Sequence, residues 1–195
     1  MIMDSRLDED LTIVELLRTD KRLPVLNDKY TTESYYDLSI KRRTNAWTIQ
    51  LRLKQFEKPL EKTYTGTFYE PHIEEPRVFV AMLKNEQAGW IELGYDKWNN
   101  RMRIWELLVK KGCRTKGIGT RLIKHAIDAA KQKGARMLVL ETQSNNSLAI
   151  SFYLRRGFRL IGFDAAAYTN EDTKRKEIRL EFGLPITCSL RKSTA

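Results

Sequence analysis

The chain has 195 residues, of which 42% are hydrophobic and 31% charged, and its Lys and Arg exceed its Asp and Glu by ten. Such a length fits one domain with a sizeable core, the composition excludes a disordered chain, and no apolar run reaches the roughly 18–20 residues of a membrane helix. Two cysteines, Cys113 and Cys188, give neither a disulfide framework nor metal-ligand spacing, so no metal and a reducing cytoplasm are expected.

The acidic N-terminus, Met1 to Asp10, lacks the apolar segment of a secretory signal. Positive charge is unevenly spread. Residues 1–77 hold 13 Lys/Arg against 14 Asp/Glu, whereas residues 101–136 hold 11 against 2. A basic region this local suits a phosphorylated small molecule better than a nucleic-acid duplex.

In chain order, Leu11–Leu17 is short, apolar and β-branched, which favours a strand. Residues 18–35 are polar with Pro24 and read as a loop with one helical turn. From Trp47 to Lys54 apolar and polar residues alternate, the period of a half-buried strand, with a helix as the competing reading. Pro59, Pro71 and Pro76 predict an irregular stretch. Residues 78–83, 89–94 and 103–109 then predict three strands joined by two short turns, an antiparallel meander.

Thr120 to Gly134 has one apolar face, built from Ile118, Leu122, Ile123, Ala126, Ile127 and Ala130, and predicts a helix stopped by Gly134. Met137–Leu140 is a continuous apolar run, as in a strand covered on both sides, and strand–helix–strand in that order predicts a right-handed parallel crossover. A second helix over Ser147–Arg155 ends at Gly157. Phe158–Asp164 and Glu177–Phe182 predict a hairpin around the polar turn Thr169–Lys176.

Chemistry concentrates at the junction of the third meander strand with the first helix, Arg114-Thr115-Lys116-Gly117-Ile118-Gly119. Two glycines permit a tight turn with exposed N–H groups at the positive end of a helix, which suits a phosphate or pyrophosphate. No Gly-Lys-Ser/Thr comes after it, and Leu122 stands where a dinucleotide fingerprint needs its third glycine, so both of those phosphate motifs are excluded. A second constellation lies further on: Asn146-x-x-Ala149-x-x-Phe152-Tyr153-x-x-x-Gly157-Phe158.

Together these segments resemble the GNAT superfamily of N-acetyltransferases over about residues 78–182. Residues 140–146 and 158–164 with Tyr168 are similar to the streptothricin acetyltransferase group. The resemblance implies an α+β fold with a mixed, largely antiparallel twisted sheet of about seven strands, a central β-α-β crossover and helices on both faces. It further implies one domain over 1–195, with 1–77 on the acceptor side, 78–182 as the acetyl-CoA core and 183–195 as a tail. Acetyl-CoA is the implied co-substrate and a primary amine of a small molecule the implied acceptor, streptothricin-like or lysine-like, with antibiotic resistance as one consequence. A protein or peptide amine is the alternative acceptor, and a non-catalytic CoA-binding or nucleic-acid-binding module the alternative class. A homodimer is expected from the superfamily's habits, and no membrane partner.

Residue roles are implied by the same resemblance. Leu107, Leu108 and Val109 would pair with the pantetheine arm, and Arg114, Thr115, Lys116, Gly117, Ile118, Gly119 and Thr120 would hold the pyrophosphate. Asn146 would bind the pantetheine or cap its helix. Tyr153 would hold the sulfur or protonate the departing thiolate, or serve as a half-buried aromatic. Glu106, mid-strand in an apolar run, would take the proton from the incoming ammonium or reach solvent. Glu141, Asp164 and Tyr168 would bind the substrate cation. His72 and His125 are expected to have no catalytic part. The chain departs from the streptothricin group where Trp105, rather than a second acid, precedes Glu106, and where Thr115 replaces a common loop glycine outside the two patterned ones.

Overall fold

The computed structural model describes residues 11–186; the acidic N-terminus, Cys188 and the rest of the expected tail lie outside the described residues. The strands are β1 (Leu11–Leu16), β2 (Leu26–Arg43), β3 (Ala46–Gly66), β4 (Arg77–Leu83), β5 (Glu86–Asp96), β6 (Arg101–Val109), β7 (Met137–Gln143), β8 (Arg159–Asp164) and β9 (Arg179–Pro185). The helices are α1 (Ile118–Lys133), α2 (Ser147–Leu154) and the single turn α3 (Asp172–Arg175). Seven strands form one mixed sheet in the order β1-β4-β5-β6-β7-β9-β8, and β2 with β3 forms a separate two-stranded sheet. Helix α1 joins the parallel pair β6–β7. Among the described residues no helix is long and apolar enough to cross a membrane.

The described chain divides into two compact units: residues 11–25, 66–139 and 185–186, and residues 26–65 with 140–184. In the first unit, β1, β4, β5 and β6 pair antiparallel in turn; the last three are the meander that the short turns predict. Their register fixes two faces. On one, Phe79, Ile91 and Leu107 lie in a row. Phe79 meets His125 of α1 edge-on at 4.3 Å between ring centroids, and α1 buries Ile118, Leu122, Ile123, Ala126, Ala129 and Ala130. Six buried side chains at helical spacing are what anchors this helix, since propensity alone is a weak force. Gly134 ends it in the left-handed conformation, φ 74°.

On the other face Leu16, Val78, Val80 and Trp90 cluster with Tyr69, and Leu108 packs against them. The β5–β6 ladder slips here by one residue, Glu92 facing Glu106 and Leu93 facing Ile104, so Trp105 is the extra residue of a β-bulge. Its indole lies over Gly94: a Cβ there would sit 2.5 Å from Trp105 Nε1 and 2.7 Å from Ile73 Cγ2. Trp105 is thereby turned to the same face as Glu92, Gly94 and Glu106.

In the second unit, β8 and β9 pair antiparallel, as expected of the closing hairpin, although β9 runs on to Pro185 and the polar turn includes α3. Residues 18–66 differ most from expectation. Strand β2 starts at Leu26, inside the predicted loop, and β3 continues through Pro59 to Gly66. The alternation of Trp47–Lys54 does mark a strand, but not a half-buried one: Trp47, Ile49 and Leu53 are 65%, 52% and 55% exposed. The base of the hairpin is held by polar contacts. Tyr36 N–H donates to Ser144 O at 2.8 Å, Thr32 Oγ1 to Asn145 O at 2.6 Å, and Ser34 Oγ to Ser147 Oγ at 2.8 Å. Asp37 accepts from both Lys54 and Lys176, at 2.6 and 3.2 Å.

The packing of Trp105 on Gly94 predicts that Gly94→Ala lowers stability by about 1–3 kcal/mol through overpacking. Urea melts of the two proteins check this; an unchanged midpoint would mean that the indole is free to move aside.

Candidate active site

Strand β6 carries Leu107, Leu108 and Val109 into the loop. Lys110 N–H donates to Ala88 O at 2.9 Å, and a Cβ on Gly89 would lie 2.8 Å from Leu108 O, so β5 and β6 approach closely where the sheet ends. The backbone then turns through Lys111–Cys113, and Arg114 Nε donates back to Val109 O at 3.1 Å. Thr115 and Gly117 both have positive φ, 67° and 78°. At Gly117 the positive φ costs nothing to glycine, and among the described residues nothing lies within 4 Å of the position a Cβ would take. Thr115 is costlier, since left-handed backbone suits glycine and strains a β-branched residue. Thr115, outside the two patterned glycines, thus occupies a conformation that glycine would adopt more readily.

Helix α1 begins immediately after Gly117, which as a cap offers no side-chain acceptor, and the first turn holds no acidic residue. Ile118, Gly119 and Thr120 thus start a helix whose leading N–H groups have no acceptor within the helix itself. Lys110, Lys111 and Lys116 are exposed beside it. An anion is electrostatically favoured at this place, both by the helix end and by the lysines.

Glu106 stands opposite Glu92 across β5–β6. Sequence reasoning missed Glu92, although it gives the signal that marked Glu106, a carboxylate amid apolar strand residues. Glu92 is fully buried. Its Oε1 accepts from Tyr69 N–H at 2.6 Å, and its Oε2 has no partner among the described residues. Burial pushes its pKa up to about 7, against the Tyr69 hydrogen bond, which lowers it, and with a smaller upward push from Glu70.

In the second unit Asn146 caps α2, its Oδ1 accepting from Ala149 N–H at 3.2 Å, and its Nδ2 is the donor that remains for a ligand. Tyr153 on the same helix is 8% exposed, edge-to-face with Phe152 and Phe158 at 5.3 and 5.7 Å. Glu141, Asp164 and Tyr168 come together. Tyr168 hydroxyl donates to Glu141 Oε1 at 3.5 Å, and Arg179 lies 3.8 Å from Glu141 Oε2 and 3.7 Å from Asp164 Oδ2. Burial of its phenol end and the Glu141 carboxylate push the Tyr168 pKa up, although 43% of the residue is exposed. The tyrosine is therefore a neutral donor at any physiological pH.

Two residues that organise this group were not foreseen. Arg179 faces Asp164 across β8–β9, a pairing with no local sequence signal. Asp172, fully buried, accepts from Tyr168 N–H and Thr169 N–H at 2.8 Å each and from Thr169 Oγ1 at 2.7 Å. Burial alone would raise its pKa, but these hydrogen bonds prevail and hold the carboxyl below its usual range. The Thr169-x-x-Asp172 spacing was the available clue. His125 packs on Phe79 and His72 on Trp105, 4.9 Å between centroids for the latter pair. Among the described residues no group of three or more His, Cys, Asp and Glu could hold a metal ion.

A mixed sheet with one parallel crossover, and a glycine-opened helix start at its middle strand, make this an α+β protein with an anion-favouring turn beside the sheet. Residues 44–158 match the model of the acetyltransferase (GNAT) family, and the chain belongs to that family. Streptothricin acetyltransferase of Streptomyces lavendulae is 41% identical over 95 residues, 48% of this chain and 50% of the relative. Streptothricin acetyltransferase A of Bacillus subtilis (strain 168) is 33% identical over 62% of this chain and 70% of that protein. The chain thus spans about half the length of the first of these relatives and about two thirds of the second. A protein of Bacillus anthracis str. Ames, assigned as a streptothricin acetyltransferase and solved with acetyl coenzyme A, superposes with a TM-score of 0.74 at 30% identity, covering 90% of this chain and 99% of that one.

The raised pKa of Glu92 makes stability pH-dependent. The unfolded chain releases this proton near 4.5 and the folded one near 7, so the contribution is complete below 4.5 and lost as pH rises to about 7, at most about 3 kcal/mol. Glu92→Gln should flatten this slope in melts between pH 4.5 and 8; an unchanged slope would mean that Glu92 titrates normally.

Proposed function

We propose that the protein is an acetyl-CoA-dependent N-acetyltransferase acting on a primary amine of a small molecule, with a streptothricin-like cation the leading acceptor. The observation that carries this reading is the start of α1. A cofactor pyrophosphate needs backbone donors, room and no competing carboxylate. Open space around Gly117, positive φ at Thr115 and Gly117, and a first turn without acids meet those needs.

Acetyl-CoA supplies the activated acyl group as a thioester. In this reading N–H groups from Arg114 to Gly119 bind the pyrophosphate, with Arg114, Lys116 and Thr120 beside them. Leu107, Leu108 and Val109 offer backbone pairing to the pantetheine arm, and an N–H of Leu108 or Val109 polarises the thioester carbonyl. Asn146 gives its Nδ2 to the pantetheine while its Oδ1 keeps the helix cap. A lysine-like ammonium must lose a proton before attack, and the Glu106 carboxylate removes it. The Tyr153 hydroxyl returns a proton to the departing thiolate.

The acceptor's remaining positive charge is assigned to Glu141 and Asp164. With Glu181, these acids outnumber Arg179, which lies within 4.0 Å of all three. Tyr168, kept neutral, adds a hydrogen-bond donor. A polycationic small molecule suits such an excess of negative charge.

Thiol release from acetyl-CoA with streptothricin, lysine, polyamines, aminoglycosides and peptide amines tests the reading. Turnover with a small polycation is expected, and absence of turnover with every amine would overturn it. Tyr153→Phe should lower kcat by at least about tenfold, as loss of a general acid does, while acetyl-CoA binding changes little. Joint loss of binding and turnover would make Tyr153 a packing residue between Phe152 and Phe158.

A further inference from the structure

The bulged face of β5 and β6 holds more unsatisfied polarity than a packed sheet tolerates. Glu92 Oε2, Trp90 Nε1 and Trp105 Nε1 are all buried without a hydrogen-bond partner among the described residues. Pairing places Trp90, Glu92 and Gly94 on one face of β5, with Glu106 opposite Glu92 and the Trp105 indole over Gly94. Each buried orphan costs about 1–3 kcal/mol, and three on one patch mark a place where polarity is retained for use. Directly opposite residues of an antiparallel pair have Cβ atoms about 4.5–5.5 Å apart, within reach of two glutamate side chains or of one water between them.

We infer that Glu92 is a second proton acceptor behind Glu106, so that the proton shed by the substrate ammonium moves inward along the pair Glu106–Glu92. This rests on the acetyltransferase reading. The balance is simple. The ammonium N–H bond breaks and a Glu106 O–H bond forms. The Glu106 O–H then breaks as Glu92 Oε2 takes the proton, leaving a neutral amine, an ionised Glu106 and a protonated Glu92. Glu92 afterwards returns its proton to solvent by the same route, and no further reactant is consumed.

Burial favours the proton's residence on Glu92, since the charged carboxylate is the form that the apolar face disfavours. Its affinity near neutrality suits an acceptor that must both take and release a proton. Among the described residues the charged and titratable groups around it are few. Glu106 and Arg103 face it from β6, and Arg103 is committed to Asp96 at 3.5 Å. Glu70 and Tyr69 approach from the loop before β4, with His72 further along against Trp105. Val78, its partner on β4, is apolar.

The test is the pH profile of kcat for acetylation of streptothricin by the wild-type chain, Glu92→Gln, Glu92→Asp and Glu106→Gln. The wild type should show an acidic limb with a midpoint near pH 7. Glu92→Gln should lose that limb and fall at least about tenfold at pH 8, Glu92→Asp should keep the limb at reduced rate, and acetyl-CoA affinity should stay within about threefold throughout. Infrared spectra supply a readout independent of turnover: a carboxylic-acid C=O band at pH 6 in the wild type, absent in Glu92→Gln. A Glu92→Gln enzyme with the wild-type limb and rate overturns the inference, as does a wild type without the band. A wild type that binds acetyl-CoA but turns over no amine overturns the acetyltransferase reading, and this inference with it.

Discussion

Strand β6 has one residue more than β5 can pair, and much of the first unit depends on that surplus. The extra residue is Trp105, and its indole fits because Gly94 leaves the space a Cβ would fill. The bulge turns Trp105 and Glu106 to one face, while Ile104 and Leu107 keep the face that α1 covers. A regular ladder would invert the side-chain alternation on one side of this point. Either Glu106 would then turn into the apolar contact with α1 as Leu107 left it, or Trp105 would turn in as Ile104 left it. The bulge lets one strand hold a carboxylate on one face and still end in apolar pairing that presents the loop.

The loop and helix beyond β6 are set by the opposite condition, the absence of side chains. Gly117 turns the chain into α1 with no described atom within 4 Å of where a Cβ would stand, while the buried stripe from Ile118 to Ala130 fixes the helix direction. The lysines before the helix then act on a place that the backbone has already made favourable to anions. In the second unit the polar network is denser. Asp172 organises residues 168–172, Arg179 gathers Glu141, Asp164 and Glu181, and Asn146 holds the start of α2.

Where periodicity and turn chemistry dominate, the sequence was legible. The meander, α1 with its Gly134 stop, the continuous apolar β7 and the Asn146-capped α2 all stand where their patterns placed them. The β2–β3 hairpin was not, because its strands bury little: alternation in Trp47–Lys54 revealed a strand but suggested a core face that the hairpin does not have. Pro59 misled for a related reason, since a two-stranded ribbon consists of edges, where proline is tolerated. Within the candidate site, the loop could be read from Gly117 and Gly119, whose spacing has a local backbone cause. Glu92 and Arg179 could not be read in the same way, as their meaning comes from cross-strand register, which a one-residue bulge shifts.

The central claim, that the backbone between Arg114 and Gly119 seats the cofactor's pyrophosphate, is tested most directly by observing its amides. In 15N-resolved NMR spectra of the whole chain, titration with acetyl-CoA should shift the Gly117 and Gly119 N–H resonances downfield and saturably, with inorganic pyrophosphate moving the same signals at higher concentration. Saturable binding of acetyl-CoA that left both glycine amides unmoved would contradict the account.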